Sequence, residues 1–529
     1  MMNITTENKT TTLQINDMIE LDITALAVGG RGVARYNGMV FFVEQALPGQ
    51  KVLAKITVLK PRMGEAELMQ VIKPSQHESA PLCKHFGACG GCDWQTLEYN
   101  QQLFWKKQIF IDCLTRIGKY TNQEIDKLNL QLPLASPKRE FFRNKMEFAF
   151  SEASNNTQNE QGEQDEKKSR PLVGLKQRFS HNVEEITDCK LQTPLTMRIL
   201  ELTREWLDEE VKKGHRLNAW VENFDKKNNS KHYPKQDHAK AQALLRHLVV
   251  REPELCLQTE QAEQKQCLVE LITTPFHLRE ASLFKRLGLK LLNVLAQEYG
   301  DSLSFGFIHS VRADKASVAQ GEKIVQSFGT LLLKEKLGDI TLQFDARSFM
   351  QTNTGLSNLL INKAKDLCLD LLPSSAVIWD LYCGVGTFAL SFAQAFQEKN
   401  CSCEIFGMEL APASIFHAKE NAKNNNLDNC TFLQANAETT LKNKKLLSSW
   451  TKPDLVFLDP PRTGIKESLC QELLQLAPQY ICCVSCYPAT LARDLNHLKS
   501  KYTLVSAEVF DMFPHSSHLE SLVLLKRKI

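Results

Sequence analysis

The chain has no run of 18 or more apolar residues, which excludes a helical membrane span. Its first residues, Met1–Thr12, are polar and lack the apolar core of a secretory leader, so a cytoplasmic location is expected. Net charge is nearly missing too: 64 Lys and Arg against 61 Asp and Glu leave +3. A polynucleotide partner therefore cannot be read from composition, and any basic surface must be local. Cysteine is not scarce. The 16 cysteines of a 529-residue chain without a leader argue for core thiols, metal ligands or catalysis, not a disulfide framework. This length implies two to four domains, and 43% hydrophobic with 24% charged residues is ordinary globular composition.

Residues 1–15 read as a disordered lead-in. From 16 to 75 the pattern is short alternating strands with turn signals: Ile19–Ala25, the loop Gly29-Gly-Arg-Gly32, Met39–Val43, Lys51–Val58 and Ala66–Val71. Such spacing predicts a small OB-type barrel. Arg31, Arg35, Lys51, Lys55, Lys60 and Arg62 on it suit either an RNA backbone or plain solvent.

Cys83-Lys-His-Phe-Gly-Ala-Cys89-Gly-Gly-Cys92 packs three cysteines into a glycine-rich loop, and Cys189 is the candidate fourth ligand. Four thiolates suit a [4Fe–4S] cluster or structural zinc, and spacing does not separate the two. It is not the C-x3-C-x2-C pattern of radical enzymes. Residues 94–118 carry a helical pattern on Trp94, Leu97, Leu103, Phe104, Ile109, Phe110, Leu114 and Ile117. Arg143 and Lys145, on a strand near 140–150, suit phosphate or an exposed strand face. Residues 76–337 together read as an α+β domain, with polar inserts near 151–170 and 207–240.

From 338 to 529 strands alternate with helices, which predicts a parallel α/β sheet. Asp380-Leu-Tyr-Cys-Gly-Val-Gly386 leaves a strand and opens a helix, where backbone can approach a ligand. Glu409 ends the next strand, suited to ribose hydroxyls, and Asn436 the third, suited to an adenine edge. The glycine loop has no third glycine in dinucleotide spacing, so the set favours S-adenosylmethionine over NAD. Asp459-Pro-Pro-Arg462 ends a fourth strand, either gripping a planar base or serving as a stiff turn. Cys486 follows the strand Tyr480–Ser485. Cys482 and Cys483 read as core thiols, whereas Cys486 falls in the loop, with Arg493 the cation expected to lower its pKa. His515, His518 and Glu520 precede the last strand and offer a proton acceptor.

Taken together, Cys83…Cys89…Cys92…Cys189, Phe142-Arg-Asn-Lys-Met-Glu-Phe148, Phe349-Met-Gln-Thr-Asn353, Asp380…Gly386, Asp459-Pro-Pro-Arg462, Ser485-Cys-Tyr-Pro488 and His518-Leu-Glu520 run nearly end to end. The set resembles the S-adenosylmethionine-dependent RNA uracil-C5 methyltransferases, within them the type that acts on 23S ribosomal RNA and carries a [4Fe–4S] cluster. The resemblance implies a multidomain α/β protein: an N-terminal TRAM barrel, a central α+β domain bearing the cluster, and a C-terminal Rossmann-like class I methyltransferase domain on which the 94–124 helix packs. It implies Cys486 as nucleophile and Glu520 as general base. Gln351, Tyr382, Thr387, Glu409, Asn436 and Asp459 fall on cofactor positions, and Thr387 stands where relatives often have Asn. The implied partner is 23S ribosomal RNA, met by a monomer off the membrane. The competing readings are a transfer RNA uracil-C5 methyltransferase, an amino-methyltransferase that needs no cysteine, and a non-catalytic rRNA-binding module.

Overall fold

The computed structural model describes residues 13–152, 170–178, 180–220, 244–255, 257–258, 263–276, 280–443 and 447–528. Most of both polar inserts, 153–169 and 221–243, lies outside them, whereas 207–212 belong to a helix.

The first five strands, β1 Met18–Leu26, β2 Gly32–Tyr36, β3 Met39–Val43, β4 Lys51–Lys60 and β5 Met63–Lys73, close into a barrel in the order β1-β2-β3-β5-β4. Their period-two burial puts Ile19, Leu21, Ile23, Phe41, Val43, Val52, Ala54 and Ile56 in one small core. Two of the basic candidates are engaged within the barrel: Arg31 with Glu44 and Glu65, and Lys51 with Glu20.

Helix α1 runs Tyr99–Arg116, followed by α2, Asn122–Asp126. The helical pattern had placed Trp94 on α1. Trp94 instead lies before the helix, fully buried, and Phe104 and Ile117 face outward. Apolar spacing cannot tell a buried anchor ahead of a helix from its first turn.

The central sheet has the path β14-β13-β12-β10-β6-β7-β8. It is built from β6 Lys145–Ser151, β7 Leu172–Lys176, β8 Val183–Glu184, β9 Asn218–Ala219, β10 Leu244–Arg251, β11 Leu257–Gln258, β12 Glu263–Thr273, β13 Leu303–Val311 and β14 Lys323–Gly329. Helices α3, Pro194–Lys212, and α4, Ala281–Tyr299, supply buried Leu200, Leu207, Phe284 and Leu291 to its core. Neither Arg143 nor Lys145 is a bare strand-face cation: Arg143 donates from Nε to the Lys145 carbonyl at 2.9 Å, and Lys145 pairs with Glu147.

A hairpin, β15 Leu333–Leu337 and β16 Ile340–Phe344, turns at Gly338, and both strands join the core of the C-terminal sheet. Next come α5 Thr354–Leu369, β17 Ser375–Leu381, α6 Thr387–Glu398, β18 Ser402–Glu409, α7 Pro412–Asn424, β19 Cys430–Gln434, α8 Ala437–Thr440, β20 Leu455–Leu458, α9 Glu467–Leu476, β21 Tyr480–Ser485, α10 Pro488–Leu498, β22 Tyr502–Phe510 and β23 Glu520–Arg527. Their order in the sheet is β19-β18-β17-β20-β21-β23-β22. All pairs are parallel except those of β23 with β21 and β22.

Both faces of this sheet are covered at its centre, so β20 and β21 are buried along their whole length. Cys482 and Val484 point into one core while Ile481 and Cys483 point into the other. Helix α1 packs on α10 and β22. Strand order reverses between β17 and β20, and a ligand crevice opens at such a point beyond the carboxyl ends of the strands. Among the described residues no helix is long and apolar enough to cross a membrane.

Candidate active site

The ends of β17, β18, β19, β20 and β21 line one cavity of about 1220 Å³. Gln351, Tyr382, Thr387, Glu409, Asn436, Asp459, Cys486 and Glu520 all lie in its wall, although they are drawn from 170 residues of chain.

The glycine loop explains one end of the cavity. Gly384 and Gly386 have φ +54 and +91, and Gly386 is the N-cap of α6. These are conformations that glycine takes without a steric cost. Tyr382, at φ +70, is a non-glycine residue in the same region. Its hydroxyl donates to Glu438 at 2.5 Å, and the Glu438 carboxylate also accepts the Lys466 N–H. Behind the loop, Asp380 is buried. One oxygen accepts the Ala389 N–H at 2.9 Å and the other has no partner. Burial, with Asp459 and Glu409 nearby, pushes its carboxyl up to about 8.

Glu409 accepts the Ala411 N–H at 2.9 Å, and Asn436 caps α8 by accepting the Glu438 N–H at 2.9 Å. Glu438 was missed by motif reading. Its only signal was local, an acidic residue in the first turn after an Asn cap. The cavity wall also includes Phe349 and Leu410, at 64% and 62% exposure.

The Asp459-Pro-Pro-Arg462 loop is tied to α10: Thr490 donates to the Arg462 carbonyl at 3.1 Å and Asp494 accepts the Ile465 N–H at 2.9 Å. Burial raises Asp459 to about 7. Cys486 is raised to about 12 by burial, then by Glu520 and Asp459, with Arg462 opposing. Arg493 is not the cation that acts on this thiol. Its guanidinium donates to the carbonyls of Thr463 and Ile465 and to Asp494.

Glu520 opens β23, not a loop, and it is buried with its Oε1 unpartnered. Burial and Asp459 push its carboxyl well above the usual range. The two histidines offered beside it do not line the cavity. The His515 backbone N–H donates to Gln102 Oε1 at 2.9 Å, and burial holds its imidazole low. His518 lies beside Arg462 and is held down to about 4, burial being the main cause.

Cys83, Cys89, Cys92 and Cys189 come together at a second hollow of about 190 Å³, walled also by Phe86, Met146, Leu175, Ile186 and Leu191. Gly90 donates to the Lys176 carbonyl at 3.0 Å, which pins the loop to β7. Burial pushes Cys92 to about 12 and Cys189 to about 11. Among the described residues no three His, Cys, Asp or Glu side chains are grouped closely enough to hold a single metal ion. The chemistry of this set still fits a thiolate-held group: four sulfurs around one hollow of mixed apolar and polar side chains, with Arg143 beside them.

A seven-stranded sheet of this order, with a glycine loop and carboxylate at its switch point, defines a class I S-adenosylmethionine-dependent methyltransferase fold, here preceded by a TRAM barrel. A family model described as tRNA (Uracil-5-)-methyltransferase matches residues 218–528, and the TRAM domain model matches 13–69. The chain is 36% identical to an uncharacterized RNA methyltransferase of Nitratidesulfovibrio vulgaris, covering 96% of each. It is 30% identical to one of Bacillus cereus, covering 98% of each. The crystal structure of Pyrococcus abyssi tRNA (uracil-54, C5)-methyltransferase with S-adenosyl-L-homocysteine shares the fold. Its TM-score is 0.62 and its identity 22%, over 96% of this chain and 100% of that one. The chain belongs to the RNA uracil-C5 methyltransferase family.

Proposed function

We propose that the chain methylates C5 of a uridine in 23S ribosomal RNA, giving 5-methyluridine, as a cytoplasmic monomer. One observation carries the reading: a thiol, Cys486, and a carboxyl, Glu520, line the same cavity as the loop and strand ends suited to the methyl donor. An amino-methyltransferase has no use for that thiol.

Uracil C5 is too weak a nucleophile to take a methyl group unaided. The Cys486 thiolate adds to C6, and the electron pair of the C5=C6 bond moves into an enolate with carbanion character at C5. S-adenosylmethionine supplies an electrophilic methyl group to that carbon. Gln351, Tyr382, Thr387, Glu409, Asn436 and Asp459 hold and orient the donor. Glu520 then takes the C5 proton; the C–H pair rebuilds the double bond, and the C6–S bond breaks to return the Cys486 thiolate. Burial keeps competing water away, and the base must leave its stack to enter.

The domain reading that goes with this is a barrel over 16–75, a central domain over 76–337 and a transferase domain over 338–529. Cys83, Cys89, Cys92 and Cys189 would hold a [4Fe–4S] cluster, which supplies structure or RNA positioning. Among the described residues no three such side chains are grouped closely enough for one metal ion, which supports a cluster over zinc, because a lone zinc draws four sulfurs to about 2.3 Å from one point. A transfer RNA uridine is the second substrate reading. It is favoured by the name of the Pyrococcus relative in fold, and the Cys83–Cys92 loop with Cys189 favours 23S RNA through its resemblance to the cluster-bearing type.

The test supplies labelled S-adenosylmethionine and undermethylated 23S RNA or transfer RNA to anaerobically purified protein, beside Cys486→Ala, with nucleosides read by mass spectrometry. Labelled 5-methyluridine from the wild type alone, in 23S RNA, is expected. Product from Cys486→Ala, or methylated adenosine or cytidine, would sink the mechanism.

A further inference from the structure

Glu520 is buried and joined to the backbone on either side of it, with no side-chain hydrogen bond at one carboxyl oxygen. Its Oε1 has no hydrogen-bond partner, so no neighbouring side chain aims that oxygen. On its C-terminal side β23 holds it in the sheet. On its N-terminal side lies the irregular segment 511–519, which contributes Phe513 to the cavity wall. This segment contains a non-glycine residue in the left-handed region, His515 at φ +66, so something must hold it in shape.

What holds it is a row of polar groups on α1. Tyr99, Gln102 and Lys106 recur at helical spacing, one above another on a single face. Gln102 and Lys106 are fully buried, which costs stability unless each is partnered. Every partner they find beyond their own neighbourhood is in the segment. Lys106 Nζ pairs with Asp511 and donates to the Phe513 carbonyl at 3.0 Å. The Tyr99 hydroxyl donates to Asp511 at 2.7 Å, and Gln102 Oε1 accepts the His515 N–H at 2.9 Å. Asp93 completes the hold by accepting from both the N–H (3.0 Å) and the hydroxyl (2.8 Å) of Ser517. The N–H groups of Asp93 and Trp94 both donate to the His515 carbonyl at 3.0 Å. Trp94 in turn gives its indole N–H to Gly30 of the barrel at 3.3 Å.

We infer that Gln102, Lys106 and Ser517 are positioning residues for Glu520: the polar face of α1 and the Asp93 carboxylate clamp segment 511–519 and so fix where the proton acceptor stands. The inference rests on Glu520 being that acceptor. Loosening the clamp leaves nucleophile and donor site intact but slows the last step. The C5 proton stays on, the C6–S bond does not break, and the methylated RNA remains attached to Cys486.

The experiment compares wild type with Gln102→Leu, Ser517→Ala, Ser517→Thr and Lys106→Met. It measures turnover, donor affinity, melting temperature and the RNA–protein adduct that survives denaturing electrophoresis. A clamp predicts kcat at least tenfold lower for Gln102→Leu and Ser517→Ala combined. The adduct should rise by a similar factor, donor affinity should stay within about twofold, kcat/KM for RNA should hold because the slowed step follows methyl transfer, and Ser517→Thr should be rescued. Should Lys106→Met not fold, the double variant decides. Parallel loss of turnover, adduct and donor affinity would overturn the inference, as would normal turnover with only a lower melting temperature. Glu520→Gln runs beside them. If it turns over normally, the acceptor assignment fails; if it traps adduct while the clamp variants do not, the clamp alone fails.

Discussion

Cys486 and Glu520 flank the last pair of an antiparallel ladder, and both line the same cavity. The pairing of β21 with β23 ends at Ser485 and Ser521, and the Ser521 hydroxyl donates to the Ser485 carbonyl at 3.0 Å. Cys486 follows the one and Glu520 precedes the other. Both reach the one cavity, and the Glu520 carboxyl is near enough to help push the Cys486 thiol up. The thiol and the carboxyl proposed to act on adjacent carbons of one ring are thereby set at the neighbouring ends of β21 and β23.

This arrangement predicts a separable last step. Glu520→Gln is expected to complete methyl transfer but release RNA about 10²–10⁴ times more slowly, the range for one general base. Single-turnover label transfer with denaturing electrophoresis checks it. Free product at the wild-type rate would remove Glu520 from the mechanism.

The pH dependence follows from the thiol. Burial and the two carboxylates raise Cys486 to about 12, so at pH 6–9 the free enzyme holds it neutral. Single-turnover rate should therefore climb about tenfold per pH unit across that window, since the reactive thiolate is the minor form. Arg462 is the cation opposing this shift, and Arg462→Leu should lower the rate at pH 8 by about tenfold or more. A flat profile between pH 6 and 9 would contradict a neutral resting thiol.

Donor binding should titrate as well. Asp459 is raised to about 7 and Asp380 to about 8, so both are largely neutral at pH 6 and ionised by pH 9. A sulfonium cation binds the ionised form better, so S-adenosylmethionine affinity should rise with pH through this window. S-adenosylhomocysteine, which lacks the sulfonium charge, should respond less. Calorimetry at pH 6 and 9 checks it, and parallel slopes for the two ligands would count against these carboxylates. The sign for stability is opposite. A carboxyl raised by burial stabilises fully below its unfolded value near 4, and that contribution is lost as pH rises through about 8.

The cysteine hollow makes a prediction about composition. Cys189→Ser should lose most bound iron and acid-labile sulfide and should melt several degrees lower, because ligation free energy is folding free energy. Metal and sulfide analysis of anaerobically purified protein checks it. Zinc in place of iron, with no sulfide, would replace the cluster reading.

Local chemistry was legible in the sequence. The glycines of 384 and 386, the short strands ending at Glu409 and Ser485, and the alternation of the barrel each follow from a few neighbouring residues, and so the strand ends could be named in advance. Three things were not local. Trp94 was misplaced because an apolar residue ahead of a helix has the same spacing as one inside it. Arg493 looked like the cation for Cys486 because it is seven residues away, but it is engaged by Asp494, and Arg462, 24 residues away, is the cation that acts on the thiol. The pairing of Lys106 with Asp511 joins residues about 400 apart, and no periodicity encodes it. Side-chain type and short-range spacing therefore determined which groups this protein carries. The antiparallel return of β23 beside β21, and the burial it imposes, decided which of them meet and how strongly each holds its proton.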